Sequence, residues 1–176
     1  MKNTSPSPRL SRRTFLYASA AVGLAACGGG ANGREDKKMT SSPDNTDVNW
    51  AALSNEEWRE RLTEEEFRVL RKEGTERAGT SPLNGEKRDG TFVCAGCALP
   101  LFDASTKFES GTGWPSFYDH LPGAVETKRD FKLILPRTEY HCSRCSGHQG
   151  HVFNDGPGPT GLRYCNNGVA LNFIPA

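Results

Sequence analysis

Cys94-Ala95-Gly96-Cys97 and Cys142-Ser143-Arg144-Cys145 decide the fold. In each stretch two residues separate a pair of cysteines, and Gly or Ser at the bend lets both sulfurs turn toward one point. Two such knuckles supply four thiolates in a tetrahedron, the closed arrangement of structural zinc, with no position left open for chemistry. Cys97 and Cys142 lie 45 positions apart, so the metal would clip two distant hairpins together. Disulfides are one alternative and a redox dithiol is another. Two knuckles of one design favour the metal. Its binding would add several kcal/mol to folding, given apparent values of roughly 10–16 kcal/mol in zinc-finger peptides.

Around the knuckles the pattern is that of strands. Thr91–Cys94, Val125–Lys128, Phe131–Leu135, Glu139–Cys142, Leu162–Cys165 and Val169–Ile174 are β-rich runs bounded by turn residues. Lys128-Arg129-Asp130 lies between two of them and suggests a hairpin turn. Gly-His-Gln-Gly-His, after the second knuckle, reads as a Gly-rich loop. Upstream, Ser54-Asn55-Glu56-Glu57 and Thr63-Glu64-Glu65-Glu66 are capping-box patterns. Trp58, Leu62, Phe67 and Leu70 then fall at helical spacings as packing anchors, and Gly74 is placed to end the second helix as a left-handed cap. The expectation is a mainly antiparallel β domain over residues 50–176 with two short N-terminal helices.

The N-terminus reads as an address. Ser11-Arg12-Arg13-Thr14-Phe15-Leu16 followed by the apolar run Phe15–Ala26 resembles a twin-arginine signal, whose pathway exports chains already folded. Leu24-Ala25-Ala26-Cys27-Gly28 resembles a lipoprotein cleavage site with Cys27 as the acylated residue; an ordinary secretory signal is the alternative. Residues 1–27 therefore read as signal. Residues 28–49, polar and nearly free of apolar side chains, read as a tether. The expected location is the periplasm or cell envelope, with a lipid anchor. A chain metallated before export would also keep its thiolates protected on arrival.

Lys plus Arg number 22 and Asp plus Glu 21 in 176 residues, a net charge of +1. That balance gives no electrostatic case for nucleic acid. Nothing approaches the roughly 20 apolar residues of a membrane span.

Of six cysteines, removing Cys27 and the four knuckle residues leaves Cys165, in Arg163-Tyr164-Cys165-Asn166-Asn167. A nearby cation would lower its pKa and raise its thiolate fraction. Arg163 and the pair His148 and His151, three apart just after the second knuckle, are the candidates. For either His alone a structural role would be the default; the pair is harder to dismiss.

Three runs now stand in order around the knuckles: Gly111-Thr112-Gly113-Trp114-Pro115-Ser116-Phe117, then His148-Gln149-Gly150-His151-Val152-Phe153-Asn154-Asp155, then Arg163-Tyr164-Cys165-Asn166-Asn167. Together they resemble the type B methionine-R-sulfoxide reductases over about Leu53 to Pro175, a repair activity acting on oxidised methionine. The resemblance implies two antiparallel sheets with N-terminal helices. It implies Cys165 as nucleophile, Trp114 against the substrate methyl, and His148, His151 and Asn167 around the sulfoxide oxygen. Arg163 and Asp155 become supporting polar groups near the thiolate and His151, with Phe153 beside the substrate. Many relatives carry a resolving cysteine where this chain has Thr112. An external thiol, thioredoxin-like or small, is therefore expected to recycle Cys165, in a monomer acting on oxidised protein or peptide. A zinc-knuckle binding module and a Cys-His hydrolase are the rivals. The first leaves Cys165 and the His pair unexplained, and the second lacks an evident oxyanion site.

Overall fold

A computed structural model describes residues 48–132 and 135–176. The signal, Cys27 and nearly all of the tether lie outside the described residues. Among the described residues no helix is long and apolar enough to cross a membrane.

Helices α1 (Asn55–Arg61) and α2 (Glu64–Lys72) each begin with a complete capping box. Ser54 accepts from the Glu57 amide while Glu57 reaches back to the Ser54 amide, and Thr63 and Glu66 repeat the exchange. Each box satisfies two amides that a helix start leaves without intrahelical partners. Trp58, Phe67, Val69 and Leu70 are buried, so the apolar stripe packs inward as its spacing predicts. The left-handed residue after α2 is Glu73 (φ 51°), not Gly74. Gly74 is needed for space instead: its amide bonds the Arg68 carbonyl at 2.9 Å, and a Cβ there would lie 2.8 Å from that oxygen.

Among the described residues nine strands follow: β1 (Gly90–Cys94), β2 (Pro100–Asp103), β3 (Lys107–Phe108), β4 (Ser116–Phe117), β5 (Val125–Asp130), β6 (Arg137–Cys142), β7 (His148–Phe153), β8 (Arg163–Asn166) and β9 (Leu171–Pro175). They form two antiparallel sheets, a small one ordered β2-β1-β9 and a larger one ordered β3-β4-β8-β7-β6-β5. The chain is mainly β, as expected. Aromatic rings from both sheets fill the core. Phe102 of β2 stacks on Phe117 of β4 with centroids 4.1 Å apart, and Tyr140 of β6 meets Tyr164 of β8 edge-on at 5.3 Å, geometries that aromatic quadrupoles favour.

Three strand expectations change. The described residues of Phe131–Leu135 are not strand: β5 ends at Asp130, which pairs with Arg137 at the start of β6, and Phe131 is 72% and Leu135 77% exposed; residues 133 and 134 lie outside the described residues. Lys128-Arg129-Asp130 lies inside β5 rather than at a turn. His148–Phe153 is strand β7, not a loop. Gly150 serves that strand by close approach, since a Cβ there would stand 1.9 Å from the Cys165 carbonyl oxygen.

Candidate active site and metal centre

The two knuckles have the same backbone. In one, Ala98 N–H donates to the Cys94 carbonyl and Cys94 N–H to Leu99; in the other, Ser146 N–H donates to Cys142 and Cys142 N–H to Gly147. The residue with positive φ follows each pair, Ala98 at 59° and Ser146 at 54°, rather than sitting between the cysteines. The four buried sulfurs lie within 4.8 Å of one another. Cys94–Cys145 is 3.7 Å and Cys97–Cys142 is 3.5 Å. These separations far exceed a disulfide bond of about 2.05 Å and all four thiols are free. They approach the edge of about 3.8 Å that a tetrahedron with metal–sulfur bonds of about 2.3 Å requires. Four soft donors in this arrangement could hold a metal ion.

The larger sheet assembles the second site by register. Glu139 of β6 stands opposite His151 of β7, His151 opposite Cys165 of β8, and Cys165 opposite Ser116 of β4. Directly paired residues share a face, so these four side chains form one transverse row. Two residues along, Asp130 pairs with Arg137 and Phe153 with Arg163, adding a parallel row on the same face. His148 is three residues from His151 and by simple alternation would point away. A bulge corrects this: Tyr140 pairs with Gly150 but His141 with His148, leaving Gln149 without a partner on β6.

Each histidine is held by a carboxylate. His148 Nδ1 donates to Glu139 Oε1 and His151 Nε2 to Asp130 Oδ2, both at 2.7 Å. An ionised carboxylate only accepts, which places a proton on those two nitrogens. The Lys132 backbone N–H, His151 and Arg137 hold Asp130 well below the usual carboxylate range. Burial works to raise Glu139, yet hydrogen bonds from His148 and His141 bring it below its ordinary value. Burial lowers His151, against the pull of Asp130. Burial likewise pushes the Cys165 thiol up, while Thr112, Arg163 and Ser116 draw it down.

Arg163 forms a two-point pair with Asp155, both contacts at 2.8 Å, and lies 4.4 Å over the Phe153 ring. Asp155 therefore orients Arg163, and the carboxylate bonded to His151 is Asp130. Trp114 Nε1 donates to the Glu76 carbonyl at 3.0 Å. Asn167 is buried, accepting from the Glu76 amide at 2.8 Å and donating to the Gln149 carbonyl at 2.9 Å. It braces the wall of the site through backbone bonds.

Sequence reading missed Asp130, Glu139, Glu76 and Gln149. Glu76 joins Trp114 to Asn167 through its main chain, and no local motif marks it. Buried Gln149 joins the two centres: its amide donates to Cys94 Sγ at 3.4 Å and accepts from Asn166 at 3.4 Å. Asp130 and Glu139 carry no local signal either: Asp130 pairs with Arg137 in the ladder yet holds His151 two strands away, and Glu139 stands opposite His151 yet holds His148.

Comparison with known proteins agrees with the geometry. The profile of the SelR domain family matches residues 62–175. The chain is 52% identical over 121 residues to peptide methionine sulfoxide reductase MsrB of Leptospira interrogans, covering 68% of this chain and 92% of that protein. Proteins of the same name are 54% identical over 122 residues in Pseudomonas putida, covering 68% and 91%, and 53% identical over 121 residues in Methanosarcina barkeri, covering 68% and 85%.

Proposed function

Because this chain belongs to the SelR-domain family of type B methionine-R-sulfoxide reductases, we propose that Cys165 performs the reduction through a sulfenic acid that an external thiol then resolves. The observation that carries this is the register of His151 directly against Cys165. A sulfoxide oxygen leaves poorly, so attack on sulfur must be joined to proton delivery. The Cys165 thiolate attacks the sulfoxide sulfur and a proton from His151 reaches the oxygen. The oxygen ends on Cys165 as sulfenic acid and the substrate leaves as methionine. Two equivalents of external thiol then return Cys165 to the thiol, giving one disulfide and one water.

Zinc is the metal that four buried thiolates favour; Cys94, Cys97, Cys142 and Cys145 would hold it, and it would supply structural support. Trp114, Phe153 and Arg163 bound the substrate, with His148 and Asn167 supporting the oxygen side. The external reductant, thioredoxin-like or a small thiol, follows from Thr112 standing where a resolving cysteine would be. Twin arginines and Cys27 support export to the cell envelope and lipid anchoring. We take the enzyme to act as a monomer on oxidised protein or peptide.

A thiol-dependent assay on both sulfoxide epimers tests this. Wild type consumes only the R epimer; Cys165→Ser abolishes turnover, and His151→Ala slows it while leaving metal content intact. Activity retained in Cys165→Ser would sink the mechanism.

A further inference from the structure

Beside Cys165 lies a chain of hydroxyls that its role as nucleophile does not by itself require. Thr112 Oγ1 is 3.9 Å from Cys165 Sγ. Ser110 Oγ is 2.8 Å from Thr112 Oγ1 and 2.7 Å from Ser116 Oγ. Ser116, wholly buried, donates to the Trp114 carbonyl at 3.2 Å. A hydroxyl has one proton to give, and that fixes the direction of the chain. With Ser116 committed to a carbonyl, Ser110 must donate to Ser116, Thr112 to Ser110, and the thiol to Thr112. All four contacts are made only while Cys165 is protonated.

Ionisation reverses the demand. A thiolate accepts, so Thr112 turns its proton to sulfur and Ser110 turns its own to Thr112. Ser116 then keeps the Trp114 carbonyl or turns to Ser110. No atom has to move far, because hydroxyl protons reorient by rotation about one bond. A bond to an anion is roughly twice as strong as one between neutral groups, and S–H is a weak donor. The reversed chain therefore favours the thiolate.

We propose that Ser110, Thr112 and Ser116 form a reversible hydroxyl relay that offsets the burial of Cys165 and promotes its ionisation. Thr112 contacts the reacting sulfur, Ser116 stands opposite Cys165 in the β4–β8 ladder, and Ser110, which bonds both hydroxyls, is a positioning residue. The relay rests on Cys165 being the nucleophile. Other charged or titratable groups on the thiol's face of the sheet are His151 from β7 and Arg163 from β8 with Asp155 behind it, then Glu139 from β6 and Asp130 from β5 beyond His151; Tyr140 of β6 lies on the opposite face. None is altered by the variants below.

The test is the pH dependence of Cys165 alkylation by iodoacetamide in the zinc-loaded full chain, followed by mass analysis of the Cys165 peptide. It needs no turnover, so it stands apart from the reductase assay. Thr112→Val should raise the midpoint by about one pH unit, slowing alkylation about tenfold below it. Ser110→Ala should raise it by less, and Thr112→Ser should restore the wild-type midpoint. Unmoved midpoints in folded Thr112→Val and Ser110→Ala, or a Thr112→Ser midpoint equal to that of Thr112→Val, would overturn the relay.

Discussion

His151 faces Cys165 across the β7–β8 ladder while its own ring nitrogen is tied to Asp130, three strands from the thiol on β5. The pair is thus fixed by backbone register on one side and by a carboxylate on the other. A site built on strands in this way depends on the ladder keeping its spacing.

Gly150 is the narrowest point of that ladder. Any Cβ there would meet the Cys165 carbonyl oxygen at 1.9 Å and Asn166 Cα at 3.2 Å, both backbone, so relief requires the strands to part. Gly150→Ala should cost about 2 kcal/mol or more and lower Tm by about 6–10 °C. Calorimetry checks the stability, and a reductase assay on the folded fraction should show a loss out of proportion to it.

The metal knuckles hold up the other side of the site. Arg71 donates to the Cys145 carbonyl at 2.7 Å, and Gln149 reaches Cys94 from the strand carrying both histidines. Structural zinc contributes roughly 10–16 kcal/mol in finger peptides, comparable to the whole stability of a domain. Removal with a strong chelator should lower Tm by tens of degrees or unfold the domain. Far-UV circular dichroism during metal titration reads this, and Cys97→Ser should behave as the chelated protein does.

How much of this was legible in the chain follows from the range of each signal. The capping boxes are local, with partners three residues apart, and stand as read; the CxxC spacing is equally local, and the four sulfurs do converge. The β5–β6 connection misled because Phe131 and Leu135 sit in a run of strand composition, whereas the Asp130–Arg137 register leaves both outside the ladder. Strand β7 was taken for a loop because its glycine answers to a neighbouring strand that local pattern does not reveal. Asp130, Glu139 and Glu76 escaped for the same reason: each acts through a partner distant in sequence.

A surface cluster gives the domain an acid sensitivity. Glu73, at the end of α2, pairs with Lys128 at 2.6 Å and with Lys132, and these lysines hold its carboxyl down at about 2. A folded pKa below the unfolded value of about 4.3 contributes stability above that value, lost as pH falls toward 2. Because Glu73 is a third exposed, screening limits the gain to about 1 kcal/mol or less. Glu73→Gln should lower Tm by a few degrees at pH 7 and by much less at pH 2, where the carboxyl is half protonated. Thermal melts at the two pH values distinguish this from a change in helix packing, which would persist at both.

The pH profile of catalysis should carry the signature of the His151–Cys165 pair. Burial pushes the thiol up and the imidazole down, so the combination that reacts, thiolate with imidazolium, is a minor species of the free enzyme. Between the two pKa values the thiolate fraction rises tenfold per pH unit as the imidazolium fraction falls tenfold. Their product is level, so kcat/KM should show a plateau, declining below the His151 pKa and above the Cys165 pKa. Asp130→Asn removes the charge that supports the imidazolium. It should shift the acid limb to lower pH, leave the alkaline limb in place and lower the plateau by the same factor as the His151 pKa shift, about tenfold per unit. Thr112→Val should do the converse, raising the alkaline limb and leaving the acid limb unchanged. An Asp130→Asn enzyme with intact metal content and the alkaline limb displaced instead would mean that His151 is not the proton donor.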